Sequence, residues 1–149
     1  MDDKSRYKRA KDDLEKIRRL RLKISAIESA IERTRHEMEN PMGAVSYDRD
    51  RVQSSNKGDS LERHVIKYVE QLDRYEKEYI DTKMELAQTV HKAEMMILQL
   101  PDVKPKDFLL RHYIDGVSEI DYAAESGYET TLSVYNLRIR AIKLFATLL

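Results

Sequence analysis

From Tyr7 onward the apolar residues of this chain recur every three or four positions, as Tyr7, Ala10, Leu14, Ile17, Leu20, Ile24, Ile27, Ile31 and Met38. Only an α-helix returns side chains to one face at that interval, so the run commits the chain to one long amphipathic helix. A single three-three step at Ile17 interrupts the heptad beat. Asn40, Pro41 and Gly43 stop the helix near Glu39, because proline restricts the residue before it and glycine permits a turn. A second series follows an N-cap at Asp59 or Ser60: Leu61, Val65, Tyr68, Leu72, Tyr75, Tyr79, Leu86, Val90, Ala93, Ile97 and Leu100.

Each helix would reach roughly 55 to 60 Å at 1.5 Å per residue, and neither can bury its stripe alone. Their similar lengths predict an all-α fold whose first part, residues 1–100, is a long antiparallel coiled-coil hairpin. A homodimer is one way to cover what the hairpin leaves exposed. The connector at residues 40–60 is polar and longer than a hairpin needs.

Composition agrees with solvated helices. Of the 149 residues 36% are charged, with four Gly, three Pro and no Trp. The absence of cysteine excludes a disulfide framework and thiolate metal sites. No N-terminal apolar run has the length of a signal peptide or a membrane span, so the expectation is a cytoplasmic protein without membrane contact. The 27 basic and 27 acidic side chains cancel, but unevenly. Residues 1–23 hold ten Lys or Arg against five acids, and residues 131–149 hold three bases and no acid. Screening confines a charge to roughly 8 Å at physiological salt, so a local basic patch suffices for phosphate.

After Leu100 the punctuation changes. Pro101 and Pro105 break the arm, and residues 101–149 read as three shorter helices. The first spans Lys106 to Ile114 and closes on Asp115-Gly116, a glycine C-cap. Ser118 caps the second, which runs through Ile120, Tyr122, Ala123 and Ala124 until Gly127 turns the chain. Thr130 or Thr131 caps the third, whose core face is Val134, Leu137, Ala141, Leu144 and Leu148.

A capped short helix, a glycine turn and a longer helix form the pattern of a helix-turn-helix, although a generic helical bundle uses the same pattern. The residues Tyr113-Ile114-Asp115-Gly116, Ile120, Ala123, Gly127-Tyr128, Val134-Tyr135-Asn136-Leu137 and Arg140-Ala141-Ile142 resemble sigma-70 region 4. The whole chain is similar to sigma-region-4-like regulators of phages and prophages of Gram-positive hosts, akin to the ArpU and RinA late-gene activators. Its connector run Asp50-Arg51-Val52-Gln53-Ser54-Ser55 is the most specific part of the likeness. The resemblance implies a transcription regulator that binds double-stranded DNA, with RNA polymerase as a second partner. One departure is that six residues, Tyr128 to Ser133, separate Gly127 from Val134, one more than in the family pattern. Placed in the turn, the extra residue leaves Thr130 as N-cap and the helix phase intact.

Recognition helices read bases with their first turns, which makes Thr131, Tyr135 and Asn136 the candidates for base edges and Arg140 and Lys143 those for phosphate. The same helix carries a second apolar stripe, Leu132, Tyr135, Ile139, Ile142 and Ala146. Packing against the arm or a second protomer is the expected use of that stripe, and docking of a protein partner is the alternative. The rival reading is therefore a coiled-coil adaptor whose helix-turn-helix binds protein. His36, His64, His91 and His112 are scattered without metal-ligand spacing, and no phosphate loop, nucleophile elbow or convergent acid pair appears. No enzyme, metal or cofactor is expected.

Overall fold

The computed structural model describes residues 2–40 and 57–149. The connector run Asp50 to Ser55 lies outside the described residues. All elements within them are helical: α1 (Asp3–Glu39), α2 (Lys57–Ile97), α3 (Val103–Leu109), a wider π-helical turn (Leu110–Ile114), α4 (Glu119–Ser126) and α5 (Thr131–Ala146). None of the described helices is long and apolar enough to cross a membrane. The described residues divide into two compact units, residues 23–83 and residues 1–22 with 84–149.

In the unit of residues 23–83, α1 and α2 run antiparallel, with Lys23 against Glu78, Glu28 against the Tyr79 hydroxyl and Arg35 against Glu76. These contacts are half exposed and worth well under about 1 kcal/mol each, so the apolar seam holds the pair. Ile24, Ile27 and Leu72 are buried in it. Two polar residues complete the beat where the apolar series skips: Thr34 between Ile31 and Met38, and Thr82 between Tyr79 and Leu86, are both buried. The Thr34 hydroxyl donates to the Ala30 carbonyl at 2.8 Å and so enters the seam without an orphaned donor. Leu61, Val65, Ile66, Val69 and Ile80 keep substantial exposed surface on α2. Helix α2 begins at Lys57, so Asp59 and Ser60 stand inside its first turn instead of capping it.

The other unit holds the main core. Ala10 and Leu14 of α1, Ile97 and Leu100 from the end of α2, and Phe108, Leu109, Tyr113, Tyr122, Ala123, Val134, Leu137, Ala141, Ile142, Phe145 and Ala146 form one buried cluster. The C-terminal helices thus share a core with the base of the arm, and the boundary expected from punctuation at residues 100 and 101 runs through that core. Lys16 pairs with Glu85 at 3.2 Å at its edge.

Helix α3 starts at Val103 and not at Lys106. Asp102 takes the extended N-cap conformation, and Pro105 falls in the first turn, where no intrahelical N–H partner is needed. Proline there is buried and opens the helix instead of breaking it. The chain then widens over Leu110–Ile114, with the Asp115 amide donating five residues back to Leu110 at 2.9 Å. Gly116, at φ +79°, closes the turn, and the Val117 amide returns to the Arg111 carbonyl at 2.9 Å. Phe108 lies at the centre of an aromatic group, edge-on to Tyr122 at 5.2 Å and to Tyr113 at 6.4 Å, and stacked on His112 at 5.1 Å.

Candidate nucleic-acid interface

Helices α4 and α5 and the turn between them are set by local chemistry. The Ser118 hydroxyl accepts from the Asp121 amide at 3.1 Å and starts α4. Gly127, at φ +76°, ends it, and the Tyr128 amide donates back to the Ala123 carbonyl at 3.0 Å. The Thr130 side chain accepts from the Ser133 amide and starts α5. Val134, Leu137 and Ala141 are buried as expected, but the core face then turns towards Ile142 and Phe145, and Leu144 and Leu148 are not fully buried.

The second apolar stripe divides. In the C-terminal half of α5, Ile142 and Ala146 of this stripe are buried along with Ala141 and Phe145, while Leu144 and Leu148 of the first stripe are only half-buried. In the N-terminal half, Leu132 is 65% exposed and Tyr135 45% exposed. The end of α5 is enclosed on two sides, because Ala146 borders a groove against Asp3 and Tyr7 of α1, and Phe145 borders Asp13, Ala93 and Met96. In its first two turns Arg138 borders Arg18, Arg21 and Leu22 of α1, while Leu132, Tyr135 and Asn136 remain exposed.

All five candidate residues are exposed. At 100° per residue, Leu132, Asn136, Arg140 and Lys143 fall along one line of α5, with Tyr135 and Ile139 on its flank and Thr131 in the first turn. Asn136 stands at the centre of this face. The Tyr135 ring lies under the Arg138 guanidinium at 5.2 Å, which limits its freedom. Arg140 faces Asp102 at 3.5 Å.

The electrostatics of the face are less simple than the basic end of the chain suggests. Residues 115–129 contribute Asp115, Glu119, Asp121, Glu125 and Glu129 and no Lys or Arg. Arg138 holds Glu119 at 3.0 Å, and Arg111 holds Glu125 at 2.7 Å and Asp115 at 3.2 Å. Glu125 first and Asp115 second raise the Arg111 pKa above its ordinary value. Among the described residues, Lys143 is the cation of α5 without a carboxylate partner. It borders the groove lined by Lys4, Arg6 and Tyr7, a neighbourhood that sequence periodicity could not reveal.

A third arginine has a structural use. Arg21 of α1 donates to the Tyr113 carbonyl at 2.8 Å and to the Ile114 carbonyl, and so caps the end of the π-helical turn. Two buried polar atoms of this unit lack a partner, the Tyr113 hydroxyl and Arg138 Nε. Burial pushes the Tyr113 phenol well above its ordinary range. The Tyr122 phenol is pushed up to about 12 by burial and by its hydrogen bond to Asp107, which is 2.9 Å long. No group of three or more His, Asp or Glu among the described residues is placed to hold a metal ion. Comparison of the chain with protein-family models, with curated proteins and with solved structures returns no match.

Proposed function

We propose that the chain is a DNA-binding transcription regulator that reads duplex DNA with the first turns of α5. The observation that carries this reading is the exposed line of Leu132, Asn136, Arg140 and Lys143 on a helix whose opposite side is locked into a core. A helix with an uncovered face of mixed polar and apolar residues and a short capped helix before it has the dimensions that the major groove admits. Asn136 is the residue for an adenine edge, with Thr131 and Tyr135 beside it; Arg140 and Lys143 serve phosphate. The resemblance to sigma-70 region 4 supports the same assignment and makes RNA polymerase the second partner. Leu132 would contact a thymine methyl group in such a complex.

A second reading, a coiled-coil adaptor whose α4–α5 surface binds protein, is favoured by one observation. Ile120 and Leu132 are 70% and 65% exposed, and they stand near Asp121 and Glu129, which repel phosphate. Selection from a randomised duplex pool, followed by titration against salt, separates the two. The regulator enriches a defined site, and Asn136→Ala relaxes the preference there by about 1 to 3 kcal/mol. Failure of the folded protein to enrich any site, with retention of purified RNA polymerase, would establish the adaptor instead.

A further inference from the structure

We propose that the DNA-contacting surface continues from α5 onto the first turns of α1, where Lys4 and Arg6, on the two flanks of one groove, join Lys143 in holding the phosphate backbone. The inference rests on the DNA-binding reading and adds to it an element, the base of the arm, that a helix-turn-helix pattern does not include.

Three observations carry it. Lys4, Arg6 and Lys143 line one groove of about 740 Å³, although Arg6 and Lys143 are 137 positions apart in the chain. Tyr7, Ile139 and Ala146 supply its apolar lining beside Thr147, and Asp3 is the single acid among the lining residues. An apolar lining lowers the local dielectric and supports the lysine stems, which strengthens the field at the rim. Secondly, the cations of the groove are exposed and have no carboxylate within 4 Å among the described residues, whereas Arg111, Arg138 and Arg140 are each paired. Lys8, Arg9 and Lys11 continue the exposed basic run along α1. Evenly solvated ridges of like charge repel themselves, and a polyanion relieves that repulsion. Thirdly, Lys143 lies seven residues beyond Asn136, roughly 10 Å along α5 and within about 20° of the same face, so one duplex can meet both. A duplex read at Asn136 therefore brings its backbone to the groove.

The test uses the full chain with the duplex obtained by selection and a scrambled duplex of equal length. Wild type, Lys4→Gln/Arg6→Gln, the triple variant with Lys143→Gln, and a charge-conserving Lys4→Arg/Arg6→Lys variant are titrated at a series of salt concentrations. Each lost phosphate contact lowers the slope of log K against log salt by about 0.9. The expected result is a slope lower by about 2 in the double variant and by about 3 in the triple variant, on both duplexes. The ratio of affinities for selected and scrambled DNA stays constant, because phosphate contacts carry no sequence information. The charge-conserving variant keeps the wild-type slope. A normal slope in the double variant, with wild-type DNA binding intact, overturns the extension onto α1 and leaves the reading by α5 standing. Absence of DNA binding by wild type overturns both.

Discussion

Replacing Arg21 by alanine tests whether the arm holds the C-terminal helices by a specific clamp or only by shared apolar surface. The guanidinium donates to two backbone carbonyls, those of Tyr113 and Ile114, at the end of the π-helical turn. Hydrogen bonds to a charged donor contribute about 1.5 to 3 kcal/mol each. Tyr113 borders a groove lined by Arg18, Leu22 and Val117, where water can replace the lost donor. Rehydration sets the net loss for the pair near the lower end, at about 2 kcal/mol. For a chain of this size that corresponds to a fall in Tm of about 4 to 8 °C. The sharper assay is native-state hydrogen exchange. The amides of Asp115 and Val117 close the turn onto Leu110 and Arg111, and a local loss of 2 kcal/mol accelerates their exchange about 30-fold. Arg21→Lys restores part of the protection, since one ammonium cannot fork to two carbonyls. Arg18→Ala, an exposed neighbour on the same groove, leaves it unchanged. Equal protection of Asp115 and Val117 in Arg21→Ala and wild type would refute the clamp.

Further expectations follow from the same geometry. Ile142→Ala and Phe145→Ala, both at fully buried positions, cost about 2 to 5 kcal/mol, whereas Leu132→Ala changes stability by less than about 0.5 kcal/mol in denaturant unfolding. Gly127→Ala costs about 1 to 2 kcal/mol through its positive φ alone, because a Cβ there meets nothing within 4 Å, and Gly127→Asn costs less. Gly116→Ala bears the same strain, and since its Cβ would meet the Arg21 guanidinium only in ordinary contact, the cost there too is set by the positive φ. Alkali weakens the fold through Tyr122, whose phenol loses its proton near pH 10 in the unfolded chain and at about 12 in the folded one. Between those values the unfolded state binds fewer protons, so stability is complete below pH 10 and falls by up to about 3 kcal/mol as pH rises to 12. Urea unfolding at pH 8 and 11 checks this, and an equal loss in wild type and Tyr122→Phe would contradict it.

The divided stripe of α5 shows why one face of a helix is hard to assign from its residues. Leu132, Tyr135, Ile139, Ile142 and Ala146 are alike in hydropathy and phase, yet the structure leaves Leu132 largely exposed and buries Ile142 completely. The difference lies in which neighbours reach each end of the helix: Asp3, Tyr7 and Asp13 of α1 and Ala93 and Met96 of α2 border its C-terminal end, all distant in the chain. The charge of the face was equally deceptive in one dimension. Residues 131–149 are purely basic, but folding sets two of their three cations against Glu119 and Asp102. Lys143 is left, and its companions are Lys4 and Arg6.

Sequence alone determined the features that depend on neighbours within one or two turns. The two long helices follow from apolar spacing, the stop near Glu39 from Asn40 and Pro41, and the starts of α4 and α5 from Ser118 and Thr130. The turns at Gly116 and Gly127 follow from the positive φ that glycine adopts freely. Tertiary structure decided the rest: the burial of Thr34 and Thr82, the core common to Ala10, Ile97 and Phe145, the Arg21 clamp, and the groove between Arg6 and Lys143. Helical periodicity states which side chains share a face, because that is fixed by the rise and turn of one helix. Which faces then meet depends on how distant surfaces exclude water together, a property that no local window of residues contains.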